Sequence, residues 1–168
     1  MKNSFPDMPM AEFSPCRRYR YFLKRSWDSL FPSGRLAAFL LLNPSTANEV
    51  SNDNTVTRCI GFAKAWGYSG LFIINLFAFR ATNPAAMLSA KDPVGPENDV
   101  WIERAGGLAD IVVAAWGNNG SHLGRSTVVQ KKFQEMGIGL QCLSVTGAGQ
   151  PEHPLYLKSN LSPQPFPG

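Results

Sequence analysis

A chain of 168 residues, 44% apolar and 17% charged, is long enough to bury a core of its own. It has no run of about eighteen apolar residues to cross a bilayer. The N-terminus, with Asp7, Glu12, Pro6 and Pro9, lacks the apolar segment of a secretory signal, so a cytoplasmic location is expected. The net charge of +4 and a pI near 9.1 permit a polyanionic partner without demanding one. The three cysteines, Cys16, Cys59 and Cys142, are too far apart to suggest a disulfide framework, a zinc site or an iron–sulfur site, and read as buried free thiols.

One domain over residues 1–168 is expected, with residues 1–15 as a loose arm and 158–168 as a Pro-rich tail. Arg18 to Trp27 is short and aromatic, and Pro32-Ser33-Gly34 is a turn signal; together they predict an N-terminal antiparallel hairpin at a sheet edge. Arg17, Arg18, Arg20, Lys24, Arg25 and Arg35 share this stretch with one acid, Asp28. They read either as the outward positions of a solvated hairpin or as a phosphate-contacting edge.

Ala37 to Leu42 is a continuous apolar run that breaks into Asn43-Pro44-Ser45-Thr46. Such a run fits a strand covered on both faces, as in a parallel sheet flanked by helices. Ser51 to Asn54 offers N-caps for a helix over about 55–66, with Val56, Ile60, Phe62 and Ala63 toward the core and Gly67 at its stop. A second strand, Leu71 to Phe79, leads to Arg80-Ala81-Thr82-Asn83-Pro84 and a long Pro-rich connection with one helical turn. Asn98-Asp99 can cap a helix over 100–108. A third strand, Ile111 to Ala115, opens into Trp116-Gly117-Asn118-Asn119-Gly120. A helix over 126–136 and a fourth strand, Leu140 to Val145, complete the regular elements. The alternation predicts an α/β fold, a three-layer αβα arrangement with a mainly parallel four-stranded sheet plus the hairpin. Right-handed crossovers then put every strand's downstream loop on one rim, where ligands of such sheets sit.

The candidate site residues follow from that rim. Asn43, stiffened by Pro44, can orient a water or hydrogen-bond a ligand, or simply satisfy its own turn. Asn75 lies inside an apolar segment, and a buried amide needs a partner, either a neighbouring loop or the edge of a polar ring. His153, followed by Pro154, is the histidine better placed than His122 to supply charge or a proton. Gly117 and Asn118 end a strand with little bulk, so backbone N–H groups there can meet an anion. Phe77 and Trp116 are stacking surfaces or core aromatics. Asp53 and Asp99 read as helix caps, or as acids beside the pocket. No phosphate-loop lysine, Gly-x-Gly-x-x-Gly or Gly-x-Ser-x-Gly pattern occurs, so no cofactor or metal is expected.

Leu42-Asn43-Pro44-Ser45-Thr46-Ala47, Asn52-Asp53-x-Thr55, Asn75-Leu76-Phe77-Ala78-x-Arg80-Ala81-Thr82, Asp92-Pro93-x-Gly95-Pro96-Glu97-Asn98-Asp99, Ala115-Trp116-Gly117-Asn118 and His153-Pro154-Leu155-Tyr156 resemble an uncharacterised bacterial and phage family. More distantly, the order of landmarks is similar to the uracil-DNA glycosylase superfamily. That resemblance implies a base-recognising hydrolase of N-glycosidic bonds. Asn43 would orient water, Asn75 would read the base and His153 would assist its departure. Pro44, Ser45, Thr46, Phe77, Arg80, Trp116, Gly117 and Asn118 would surround the substrate. The implied partner is a nucleic acid, nucleoside or nucleobase, and a non-catalytic binder of the same ligands is the alternative. Leu41, Ser45 and Leu155-Tyr156-Leu157 depart from the superfamily's pattern, which touches the chemistry and DNA intercalation rather than the fold.

Overall fold

Ala37, Phe39, Leu41, Leu71 and Ile73 pack with one face of a helix, while Ala38, Leu40, Phe72 and Ile74 pack with a second pair of helices. Successive residues of a strand point to opposite faces, so each apolar run supplies both cores. A computed structural model describes residues 8–27 and 34–168. Its strands are β1 (Ala11–Phe13), β2 (Arg20–Ser26), β3 (Leu36–Leu41), β4 (Gly70–Asn75), β5 (Ile111–Ala114), β6 (Gln141–Cys142) and β7 (Gln164–Pro165). They form one sheet in the order β1-β2-β4-β3-β5-β6-β7. The four strands β4, β3, β5 and β6 are mutually parallel. Antiparallel neighbours flank them: β2 with β1 on one side and β7 on the other.

The architecture is α/β, as expected, and the sheet is mixed and seven-stranded rather than mainly parallel. Two of the added strands fall in segments that read as irregular. Ala11–Phe13 belongs to the supposed loose arm, and Gln164–Pro165 to the Pro-rich tail. A proline is tolerated in β7 because the strand lies at the sheet's edge, where one row of N–H groups has no neighbour to meet. Residues 1–7 of the arm, Asp28 and most of the Pro32-Ser33-Gly34 turn lie outside the described residues.

Helix α1 (Asn54–Ala65) covers one face of the sheet through Val56, Cys59, Phe62 and Ala63. Asp53 caps it, Oδ1 accepting from Val56 N at 2.9 Å. A one-turn helix α2 (Pro84–Leu88) follows β4. Helices α3 (Asn98–Leu108) and α4 (Arg125–Glu135) cover the opposite face through Ile102, Ala105, Val129 and Phe133. Each large apolar side chain so buried contributes roughly 1.5–3 kcal/mol. Gly95 is required where it stands: its φ is +90°, and a Cβ there would lie 2.9 Å from the Tyr19 ring.

Several expectations change with the tertiary contacts. β4 ends at Asn75 rather than at Phe79. Beyond it Leu76 and Phe77 still donate to Leu41 O and Leu42 O, and Phe79 bridges Tyr19. Asn98 does not cap α3, whose N-cap is Glu97 with no side-chain bond; its amide is used on β4 instead. The fourth parallel strand shortens to two residues. Cys59 and Cys142 are buried thiols, but Cys16 is exposed in the turn between β1 and β2.

The largest correction concerns the basic stretch. Arg20, Lys24 and Arg25 are only 2%, 8% and 8% exposed, so they are neither solvated nor a phosphate edge. Their charges meet backbone carbonyls. Lys24 Nζ donates to Met8 O, Arg20 Nη1 to Ala47 O, and Arg25 to Asn48 O, Ser51 O and the Asn52 side chain. Two buried arginines of β2 therefore hold the irregular loop between β3 and α1 from within. Arg17, by contrast, is exposed and pairs with Glu49 through both oxygens at 2.7 and 3.1 Å. That pairing holds the Glu49 carboxyl at about 2.

Candidate functional site

Because β3, β4, β5 and β6 run in one direction, the segments that follow them emerge on one rim. On that rim Arg20, Leu41, Asn43, Pro44, Ser45, Asp53, Thr55, Val56 and His153 line a cleft of about 30 Å³. Asn43 and His153, 110 positions apart in sequence, thus meet as expected from the rim. Asn43, Ser45, Asp53, Thr55 and His153 are all half-buried, so the cleft opens to solvent.

Asn43 is held firmly. Its Nδ2 donates to Ala81 O at 2.9 Å and to Pro44 O at 3.1 Å, which spends both amide hydrogens and leaves Oδ1 as an acceptor. Ala81 N returns a bond to Pro44 O, and Ser45 Oγ lies 3.4 Å from Thr82 Oγ1. The turn after β3 is therefore clamped to the segment after β4.

His153 precedes a short 3₁₀ turn (Pro154–Tyr156), and its Nδ1 accepts from Leu155 N at 3.3 Å. An imidazole that accepts at Nδ1 in its neutral form carries its proton on Nε2 and is a donor there. Burial pushes the His153 pKa below its ordinary value, opposed by the negative charge of Asp53. The geometry and the electrostatics agree on a neutral ring that donates through Nε2.

Trp116, Gly117 and Asn118, expected around the substrate, instead hold the loop that carries His153. Trp116 is buried and donates from Nε1 to Gln150 Oε1 at 2.7 Å. Gly117, at φ +73°, donates to Pro151 O at 2.8 Å, and Asn118 Oδ1 accepts from Thr146 Oγ1 at 2.6 Å. Phe77 is fully buried in the opposite core, beside the His122 ring. Thr46 is exposed, and neither it nor Arg80 lines the cleft. Arg80 packs over the Phe13 ring and donates to Arg17 O.

Asn75 has a distinct status. It is 1% exposed, and neither Oδ1 nor Nδ2 has a hydrogen-bond partner among the described residues. It stands beside Leu41 in the parallel register. By the alternation that sends Leu71 and Ile73 toward α1, its side chain belongs to the face on which Leu41 and Val56 line the cleft. Leaving such an amide unpaired costs roughly 1–3 kcal/mol.

Arg20, Thr55 and Val56 in the cleft were not legible as site residues, and Asp53 was legible chiefly as a cap. Burial pushes the Arg20 guanidinium down to about 10, with Asp53 opposing the shift, and its Nε has no partner among the described residues. Asp99 is elsewhere, paired with Arg125 and Lys132. Among the described residues no group of three or more His, Cys, Asp or Glu is placed to hold a metal ion, and no helix is long and apolar enough to cross a membrane.

No curated protein and no solved structure matches the chain. Residues 20–155, which include both Arg20 and His153, match a family model, and the chain belongs to the family described as Protein of unknown function (DUF1643).

Proposed function

We propose that this protein is a nucleobase-recognising hydrolase of N-glycosidic bonds, with a fold and motif order similar to those of the uracil-DNA glycosylase superfamily. The observation that carries the proposal is the cleft itself, in which a rigid Asn43 and a neutral His153 face one space. In this reading Asn43 Oδ1 accepts a hydrogen bond from the attacking water. His153 Nε2–H donates to the base as negative charge develops on it. Asn75, with a donor and an acceptor both unspent, matches the edge of a pyrimidine.

The volume sets the scale. About 30 Å³ accommodates a water or two, at roughly 10–15 Å³ each, and is far below the roughly 300–1,000 Å³ of a small-molecule pocket. Reading of a base by Asn75 therefore requires the cleft wall to give.

The test is strand cleavage at abasic sites, on single- and double-stranded DNA carrying uracil, mismatched thymine or hypoxanthine. Asn43→Ala and His153→Ala serve as controls. Base release by the wild-type chain, lost in both variants, supports the hydrolase reading. Absence of product at enzyme excess removes these bases as substrates. A non-catalytic nucleobase or nucleic-acid binder then becomes the better account, favoured by the commitment of Asn43 to backbone carbonyls.

A further inference from the structure

Hydrolysis is accelerated by a group that takes a proton from the attacking water, and an amide is a poor base. We propose that Asp53 is the general base of the cleft, with Asn43 the group that positions the water; this rests on the hydrolase reading above.

Two observations carry the assignment. Asp53 lines the same water-sized cleft as Asn43, Ser45 and His153. Its carboxylate is fixed at both oxygens, Oδ1 by Val56 N at 2.9 Å and Oδ2 by Ala47 N at 3.3 Å. Each oxygen keeps a further lone pair for a water, so the base is oriented without being used up. Its charge also acts on other cleft groups, favouring the protonated forms of Arg20 and His153. The same charge suits a helix N-terminus and offsets the buried Arg20 and Arg25 guanidiniums, so the assignment stands on the carboxylate's place in the cleft and its fixed orientation.

Asp53 accepts a proton from the water while the water's oxygen bonds to the anomeric carbon. The carbon–nitrogen bond breaks, and its electron pair passes to the base nitrogen, which His153 Nε2–H stabilises. The proton on Asp53 then passes to the departed base. One water is consumed, and a sugar hydroxyl and a neutral base are formed. The titratable groups whose fields Asp53 shares are Arg20 and Arg25 on β2, Cys59 on α1 and His153 on the facing loop.

The experiment is single-turnover base release by the full chain, on the same DNA probes, over the acid and neutral pH range. Asp53→Asn and Asp53→Ser keep the cap and remove the charge. Both should lower the rate by about 10²–10⁴-fold, as loss of a general base does, while DNA binding persists and the acid limb of the wild-type pH profile disappears. Asn43→Asp should bring no gain in rate. Wild-type rates in both Asp53 variants, or a gain in Asn43→Asp with none lost in Asp53→Asn, overturn the assignment and leave the hydrolase reading standing. No release by the wild-type chain at enzyme excess removes these bases as substrates and overturns this proposal together with the hydrolase reading of them. Should the uncharged variants not fold, the wild-type profile decides: a rate independent of pH through the carboxylate range overturns the base.

Discussion

Two polar clusters of similar composition lie against opposite faces of the sheet near its carboxyl rim, and they do different things. Under α3 and α4, Asn98 Nδ2 donates to Asn75 O and Leu76 O, and Arg125 Nε donates to Leu76 O. Arg125 also pairs with Asp99, and Lys132 bridges Asp99 and Glu103. Nearly every donor there ends on a protein acceptor, so the cluster is a strut that binds two helices to the end of β4. On the α1 face, Asn43, Asp53 and His153 surround a space instead. The strut leaves one acceptor, Asn98 Oδ1, without a partner among the described residues, but it encloses no space, whereas the polar groups of the α1 face line one that opens to solvent. Asn75 lies between the two: its carbonyl is bound by the strut, while its side-chain amide, which does not line the cleft, has no partner among the described residues.

That contrast can be broken from either side. The largest expected effect is in the cleft: His153→Ala should reduce base release by about 10²–10⁴-fold. Urea unfolding should show its stability changed by less than about 1 kcal/mol, because the side chain is half-buried and makes one long bond. The strut should behave oppositely. Arg125→Met removes a charged donor that is 5% exposed and should cost about 2–3 kcal/mol in urea unfolding. Base release by the folded fraction should be unchanged, and a loss of release without a loss of stability would place Arg125 in the site.

Asn75→Leu sharpens the comparison at the joint. Replacing an unpaired buried amide by an apolar group of similar size should stabilise the chain by about 1 kcal/mol while abolishing discrimination among bases. A destabilised variant with unaltered discrimination would make Asn75 part of the strut.

The smallest effect is on pH dependence. Burial holds the His153 imidazole below its ordinary value of 6.5 in the folded chain. The unfolded chain then takes up the proton first as the pH falls. Stability is complete above that value and declines as the pH drops below it. Thermal unfolding of His153→Gln should lack that part of the decline; an unchanged slope would show that the ring is not desolvated.

The elements were largely legible because their signals are local. Ala37 to Leu42 and Ile111 to Ala115 are apolar on both faces, and Asp53 with Val56, Phe62 and Ala63 marks the start and buried side of α1. The site was legible in part. Asn43 and His153 follow from the rim that parallel strands create, whereas Gly117 and Asn118, equally on that rim, are consumed in holding the His153 loop. Arg20 was hidden because an arginine in a hairpin is ordinarily solvated, and Asp53 because an aspartate before a helix is ordinarily a cap.

The sequence alone determined the α/β alternation, the parallel centre of the sheet and the residues delivered to its rim, since periodicity, caps and chain direction are properties of short segments. Tertiary structure decided which rim residues face a common space, that three basic residues of the hairpin region turn inward, and that both terminal segments contribute strands. Those outcomes depend on where carbonyls from distant loops arrive to satisfy a buried donor, and no local pattern records that.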